Sequence, residues 1–345
     1  MRLQTACLLP LERKGSVMNK LYITRRRVLS AAGLGLGMSL APAWAQTSQV
    51  RILVGFPAGG STDVVARVLA EGMARILERP VIVENRPGAG GQIAANALKQ
   101  APADGTTLLL SNSHALSMIP LTVRQPGYET HRDFAPVGLV AISPDVLVVN
   151  PEIVGQAHDL AGLMAWMRAQ PKQANIGVPA PASDPEFGVH MLARHYQLAL
   201  SPVPYKGDAP IVQDLLAGQI PAGIGSIAVM LQHVKAERLR TIAISGPQRF
   251  ALLPDVPTYV EQGVKGYGIS NFVSALAPAG TPRETIDRYN AAITQVVQSS
   301  AFAEKLSELA IQPSSSTPEE LQARIRATDE AFAAMVKMAG FQKPS

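Results

Sequence analysis

The 345-residue sequence has a single cysteine, Cys7, so a disulfide framework is excluded. Only 5% of residues are aromatic and 17% charged, against 47% apolar; so little charge on so apolar a chain excludes intrinsic disorder. There is no H-E-x-x-H, no G-x-S-x-G and no G-x-x-x-x-G-K-[ST], which argues against a zincin, a hydrolase nucleophile elbow and a nucleoside-triphosphate loop. The six histidines are scattered without ligand spacing; His190 and His195, five residues apart, do not share a helical face. No metal, no cofactor and no catalytic set is expected. Basic patches with interleaved aromatics are also missing, so nucleic acid is not an expected partner.

The formal charge of +5 comes from the N-terminal segment. Residues 1–45 carry seven basic side chains and one acid, leaving 24 basic and 25 acidic residues for 46–345. From Thr24 the chain reads TRRRVLSAAGLGLGMSLAPAWAQ, a basic cluster, an apolar run and a small-x-small ending at Ala43-Trp44-Ala45. This is the order of a cleavable secretory signal, with cleavage expected after Ala45. The Val28–Leu40 run is short for the alternative, a membrane anchor. Arg25-Arg26-Arg27 suits either the twin-arginine or the general export route, and Met18 is a plausible start. The periplasm is the expected compartment.

What is present after residue 45 is an alternation of apolar runs and amphipathic stretches. Strands are expected at 50–56, 81–84 and 106–110, separated by Pro57-Ala58-Gly59-Gly60, a helix from about Val64, a second loop Gly88-Ala89-Gly90-Gly91 and a helix over 93–99. The pattern restarts with strands at 145–150, 174–178, 203–205 and 239–245 and helices at 157–169, 187–198 and 209–217. A strand over 267–277 then leads into helices at 283–298, 302–309 and 318–338. Such alternation implies an α/β fold with parallel sheets. Because the last helices have no strand to return to, they are expected to pack on the first unit. That makes lobe 1 discontinuous, 46–147 plus 271–345, with lobe 2 at 148–270 and two hinge strand crossings around a cleft.

The first glycine loop is the clearest chemical signal. Glycines let a ligand approach the backbone, and the free amides of the following helix favour an anion such as a carboxylate. A β-branched residue at Gly59 is accordingly expected to abolish binding. The competing reading is a plain strand-to-helix turn capped by Ser61, Thr62 or Asp63.

Six segments in order then resemble a known family: Phe56-Pro57-Ala58-Gly59-Gly60-x-x-Asp63, Val83–Gly91, Asp104–Leu109, Val203–Gly207, Leu253–Thr258 and Ala277–Pro282. Together they look like the signatures of the periplasmic solute-binding receptors of tripartite tricarboxylate transporters, the Bug receptors. The resemblance implies a two-lobed Venus-flytrap fold of the type II-like periplasmic-binding-protein class. It further implies a monomer that captures a small organic carboxylate and delivers it to membrane permease subunits. Backbone amides, hydroxyls and ordered water would hold the carboxylate between the lobes. The residues carried over are Phe56, Ala58, Gly59, Gly60, Thr62 and Asp63 from the first loop, and Ser111, Asn112, Ser113 and His114 after the third strand. On the second lobe they are Ala182, Ser183, Asp184 and Ser226, with Phe272 on the returning strand.

The second lobe departs from the family pattern. Pro179–Glu186 replaces a Ser-Gly-x-Gly-Ser-x-x-His run, and Pro221 and Gly225 stand where acids are usual. A ligand ammonium would lack its partner there, so a monocarboxylate with an apolar or aromatic body is the expected ligand. Two other functions remain: an extracytoplasmic sensing subunit for a membrane sensor, and a periplasmic α/β hydrolase using Ser113 or Ser183.

Overall fold

The protein is described by a computed structural model covering residues 49–343; the expected signal peptide lies outside the described residues. The strands are β1 (Val50–Val54), β2 (Val81–Asn85), β3 (Thr107–Asn112), β4 (Phe134–Ile142), β5 (Asp145–Val149), β6 (Asn175–Val178), β7 (Ser201–Pro204), β8 (Ala222–Ser226), β9 (Arg240–Ile244), β10 (Phe272–Pro278) and β11 (Gln312–Pro313). They form two sheets, β11-β4-β10-β3-β1-β2 and β7-β6-β8-β5-β9.

Alternate residues of the central strands enter different cores. Ile52, Val54, Leu108 and Leu110 join the cluster under helix Ser61–Leu77, whereas Leu53 and Leu109 join the cluster containing Phe272 and Leu321. Burial on both faces is why these strands read as continuous apolar runs.

The sheets are mixed, not parallel. β1 pairs in parallel with β2 and β3, but β10 lies antiparallel between β3 and β4. In the second sheet β5 is antiparallel to both β8 and β9. β5 and β10 are the strands entered directly from the opposite sheet, so each runs against its neighbours. β5 lies wholly in the second sheet, so the first crossing is Ser143-Pro144, a few residues before the boundary expected at 147/148; the second ends at Asn271. The Ser143 amide donates to the Asn271 carbonyl at 2.8 Å, tying the crossings together.

The expectation that all terminal helices pack on the first unit is corrected by helix Pro318–Met338. Its first half places Leu321 and Ile325 in the first-sheet core, and its second half places Phe332 and Met335 in the second-sheet core with Phe187 and Tyr267. A 21-residue helix extends about 30 Å, long enough to span both. Among the described residues no helix is long and apolar enough to cross a membrane.

Candidate functional site

Both sheets aim the same kind of terminus at one place. The carboxyl ends of β1, β3, β6, β7 and β8 and the amino ends of β5 and β10 converge on a 420 Å³ cavity lined from both sides. A crevice at strand ends, where chain direction switches, is the usual ligand position in open α/β sheets. A hollow of similar size, 440 Å³, lies at Pro120 and His131, but its His131 and Asp329 side chains are already paired at 2.6 Å.

On the first sheet, Phe56, Gly60, Thr62, Asn112, His114 and Phe272 line the cavity. Phe272 is only 1% exposed, its side chain belonging to the core. Helix Ser61–Leu77 starts at the wall with an extended Gly60 and no side-chain cap. The amides of Ser61 and Thr62, both cavity-lining, donate to no described residue. With the positive end of the helix dipole behind them, these amides have the chemistry suited to an anion.

Asp63 and its neighbours play a different part from the one expected. Asp63 is buried and accepts hydrogen bonds from the Gly59 amide (2.8 Å), Arg67 (2.9 Å) and Asn85 (2.8 Å). Burial alone would raise its pKa, but the bonds from Arg67, Gly59 and Asn85 and the Arg67 charge outweigh it and hold the carboxyl below its ordinary value. Asp63 therefore clasps the loop and does not line the cavity. Ala58 and Gly59 form the exposed turn, also outside the lining. A side chain at Gly59 would meet nothing within 4 Å, so its glycine is needed for its φ of +83°, not for a close approach. Close approach occurs instead at Gly55, where a Cβ would sit 2.6 Å from Gly91 Cα in the second glycine loop. Ser111 is buried in β3 and likewise does not reach the cavity.

On the second sheet Ser183, Asp184 and Ser226 line the cavity, whereas Ala182 does not. Ala182 has a φ of +53°, and its amide donates to Glu186, which is thereby folded back on its own loop. Ser183 and Ser226 are N-caps, accepting from the amides of Glu186 and Ala228. The hydrolase reading finds no geometry at its two serines. Ser113 is fully buried outside the lining and donates to Asn271 Oδ1 at 2.6 Å, and Ser183 donates to the Ala180 carbonyl at 2.7 Å; neither pairs with a histidine base.

The lining residues outside the expected set include Asp145, Asp208 and Asn271. Asn271 stands at their centre, its Nδ2 donating to Asp145 (2.7 Å) and Asp184 (2.9 Å). Asp208, the first residue of helix Asp208–Leu216, accepts from the Ser226 amide at 3.1 Å. Its Oδ1 would lie 2.2 Å from a Cβ at position 225, so an acid absent at Gly225 is supplied from the start of that helix. Burial pushes Asp145 well above the ordinary carboxylate range, with the charge and hydrogen bonding of Asp184 and the charge of Asp208 adding to it and Asn271 opposing. Burial also raises Asp208, opposed by the Ser226 amide. His114 Nδ1 lies 4.0 Å from Asp184; burial lowers its pKa despite that carboxylate, leaving it neutral at pH 7. One sequence signal did point here: Asp145 opens the strand beside the first crossing.

Comparison with known proteins adds the family. The family model Tripartite tricarboxylate transporter family receptor (TctC) matches residues 65–340. The chain is 35% identical over 324 residues to Protein BugT of Bordetella pertussis, covering 91% of this chain and 98% of that one. It resembles the structure of the periplasmic binding protein BugD with a TM-score of 0.72 and 29% identity, covering 86% of this chain and 99% of the other. Against the structure of R. palustris Rpa4515 with adipate the TM-score is 0.76 at 28% identity, covering 87% and 100%.

Proposed function

The chain belongs to the tripartite tricarboxylate transporter receptor family, and from that premise we propose that it is a periplasmic solute-binding receptor, not an enzyme, which captures a small organic carboxylate for a membrane permease. The observation that carries this reading is the pair of free amides, Ser61 and Thr62, facing a cavity built from two sheets that are joined by two crossings. The ligand carboxylate sits on those amides, with Asn112 beside it as a side-chain amide partner. The second-sheet loops at Ser183 and Ser226 close over the rest of the ligand. We draw lobe 1 as 49–143 plus 271–343 and lobe 2 between, with the exported chain acting as a monomer. Capture followed by hand-over accounts for the geometry better than sensing does, since the family is one of transport receptors.

The test is a thermal-shift screen of the purified mature chain against mono-, di- and aminocarboxylates, followed by calorimetry. A ligand at 100 times its Kd stabilises the native state by about 2.7 kcal/mol. At least one carboxylate should therefore raise the Tm by several degrees. Absence of any response, together with turnover of a carboxylate ester, would overturn the receptor reading.

A further inference from the structure

The second-sheet wall of the cleft holds more carboxyl groups than a plain carboxylate receptor requires. Asp145, Asp184 and Asp208 all line the cavity, and among the described residues no lysine or arginine does. Asp145 and Asp184 are each only 6% exposed. Asn271 supplies hydrogen bonds to one oxygen of each, and Ser226 to one oxygen of Asp208. Asp145 Oδ1 and Asp208 Oδ2 accept from no N–H or hydroxyl of a described residue, and the further partner of Asp145 is itself an acid, Asp184. Two carboxyls more than nine-tenths buried and set against each other at a cavity wall are expensive unless positive charge enters the cavity beside them. His114 is neutral and 4.0 Å from Asp184, so it does not supply the missing charge. The opposite wall is the reverse: free amides of a helix N-terminus, suited to an anion.

Resting on the receptor reading above, we propose that the ligand carries a protonated nitrogen as well as a carboxylate, its carboxylate on the Ser61 and Thr62 amides and its nitrogen among Asp145, Asp184 and Asp208. This replaces the expectation of a monocarboxylate with an apolar body. That expectation followed from Pro221 and Gly225, whereas Asp208 fills the space beside Gly225. A second ligand carboxylate, as in a diacid, would face these three acids with no cationic side chain among the described lining residues to offset them.

Calorimetry at pH 7.5 on the mature chain decides it, with sets matched in length: ω-amino acids from β-alanine to 6-aminohexanoate and α-amino acids, each against its desamino acid and its diacid. The pair 6-aminohexanoate and adipate differs chiefly in ammonium for carboxylate. At least one amino compound should bind ten-fold or more tightly than both its counterparts. Asp184→Asn and Asp208→Asn, each checked for folding by circular dichroism, should each reduce that preference at least ten-fold. Tighter binding of a diacid or desamino acid overturns the proposal and leaves the receptor reading standing. So does an amino compound whose affinity neither variant alters. If one variant fails to fold, the other and the wild-type preference still decide. No response to any carboxylate overturns both.

Discussion

Two buried carboxylates show opposite signs of coupling between charge and stability. Asp63, held low by Arg67, Gly59 and Asn85 against the effect of its burial, contributes stability that is present above its unfolded pKa of about 3.9 and is lost as pH falls through its lower folded pKa. Asp145, raised by burial and by Asp184, does the reverse: between about pH 3.9 and its folded pKa, rising pH removes stability. Asp63→Asn should lower the Tm at pH 7, and the deficit should shrink below about pH 4. Asp145→Asn should raise the Tm at pH 7 with a gain that vanishes in the same acid range, while ligand binding weakens. Thermal melts from pH 3 to 8 read both slopes. The glycines make a second contrast. Gly55→Ala forces the two loops apart and should destabilise by about 1–3 kcal/mol. Gly59→Ala faces open space and should lose only about 1 kcal/mol from its left-handed conformation. Equal losses in urea denaturation would contradict this assignment.

At the scale of elements, the C-terminal helix is the piece whose role changes most between sequence and structure. Thr317 caps it in a reciprocal box with Glu320, and Pro318 occupies the first turn, so its start is locally encoded. Its far end is not. Phe332 is 2% exposed in the second-sheet core, and Phe341 beyond it meets Phe187 edge-on at 5.4 Å. The helix therefore braces both sheets. Thr317→Ala should destabilise by about 1 kcal/mol, and Phe332→Ala by about 3–5 kcal/mol through a cavity in the second core. Equilibrium unfolding by two probes, one near each sheet, checks this. Phe332→Ala should move the second-sheet transition more than the first.

For the molecule as a whole, the crossings at Ser143-Pro144 and up to Asn271 are joined by a backbone hydrogen bond, and Asn271 links Ser113 to Asp145 and Asp184. A ligand that touches both walls interacts better with a closed arrangement than with an open one, and shifts the population accordingly. Small-angle scattering should show a fall in radius of gyration at saturating ligand. An unchanged radius with full occupancy would remove closure from the mechanism.

Much of this protein was determined by sequence alone: apolar runs on both-face-buried strands, helix stripes, the glycine loop after β1 and a resemblance to the receptor family to which the chain belongs. These are local properties, because periodicity, caps and turns act within a few residues. Strand β8 was illegible because Gly223 and Gly225 erase its pattern, their side-chain space being taken by Ile211 and Asp208 from the preceding helix. Strand β4 was hidden by Pro136 and Gly138, the latter making room for Asn290. Nine of the fifteen expected site residues line the cavity. The six others sit in the same loops but face the turn, the strand interior or their own backbone. Only tertiary structure decided that Asp145, Asp184 and Asp208, separated by up to 63 residues, share one wall. Charge carries no local signature of its partners: whether a carboxylate clasps its own loop, as Asp63 does, or faces a ligand depends on groups that the fold brings from elsewhere.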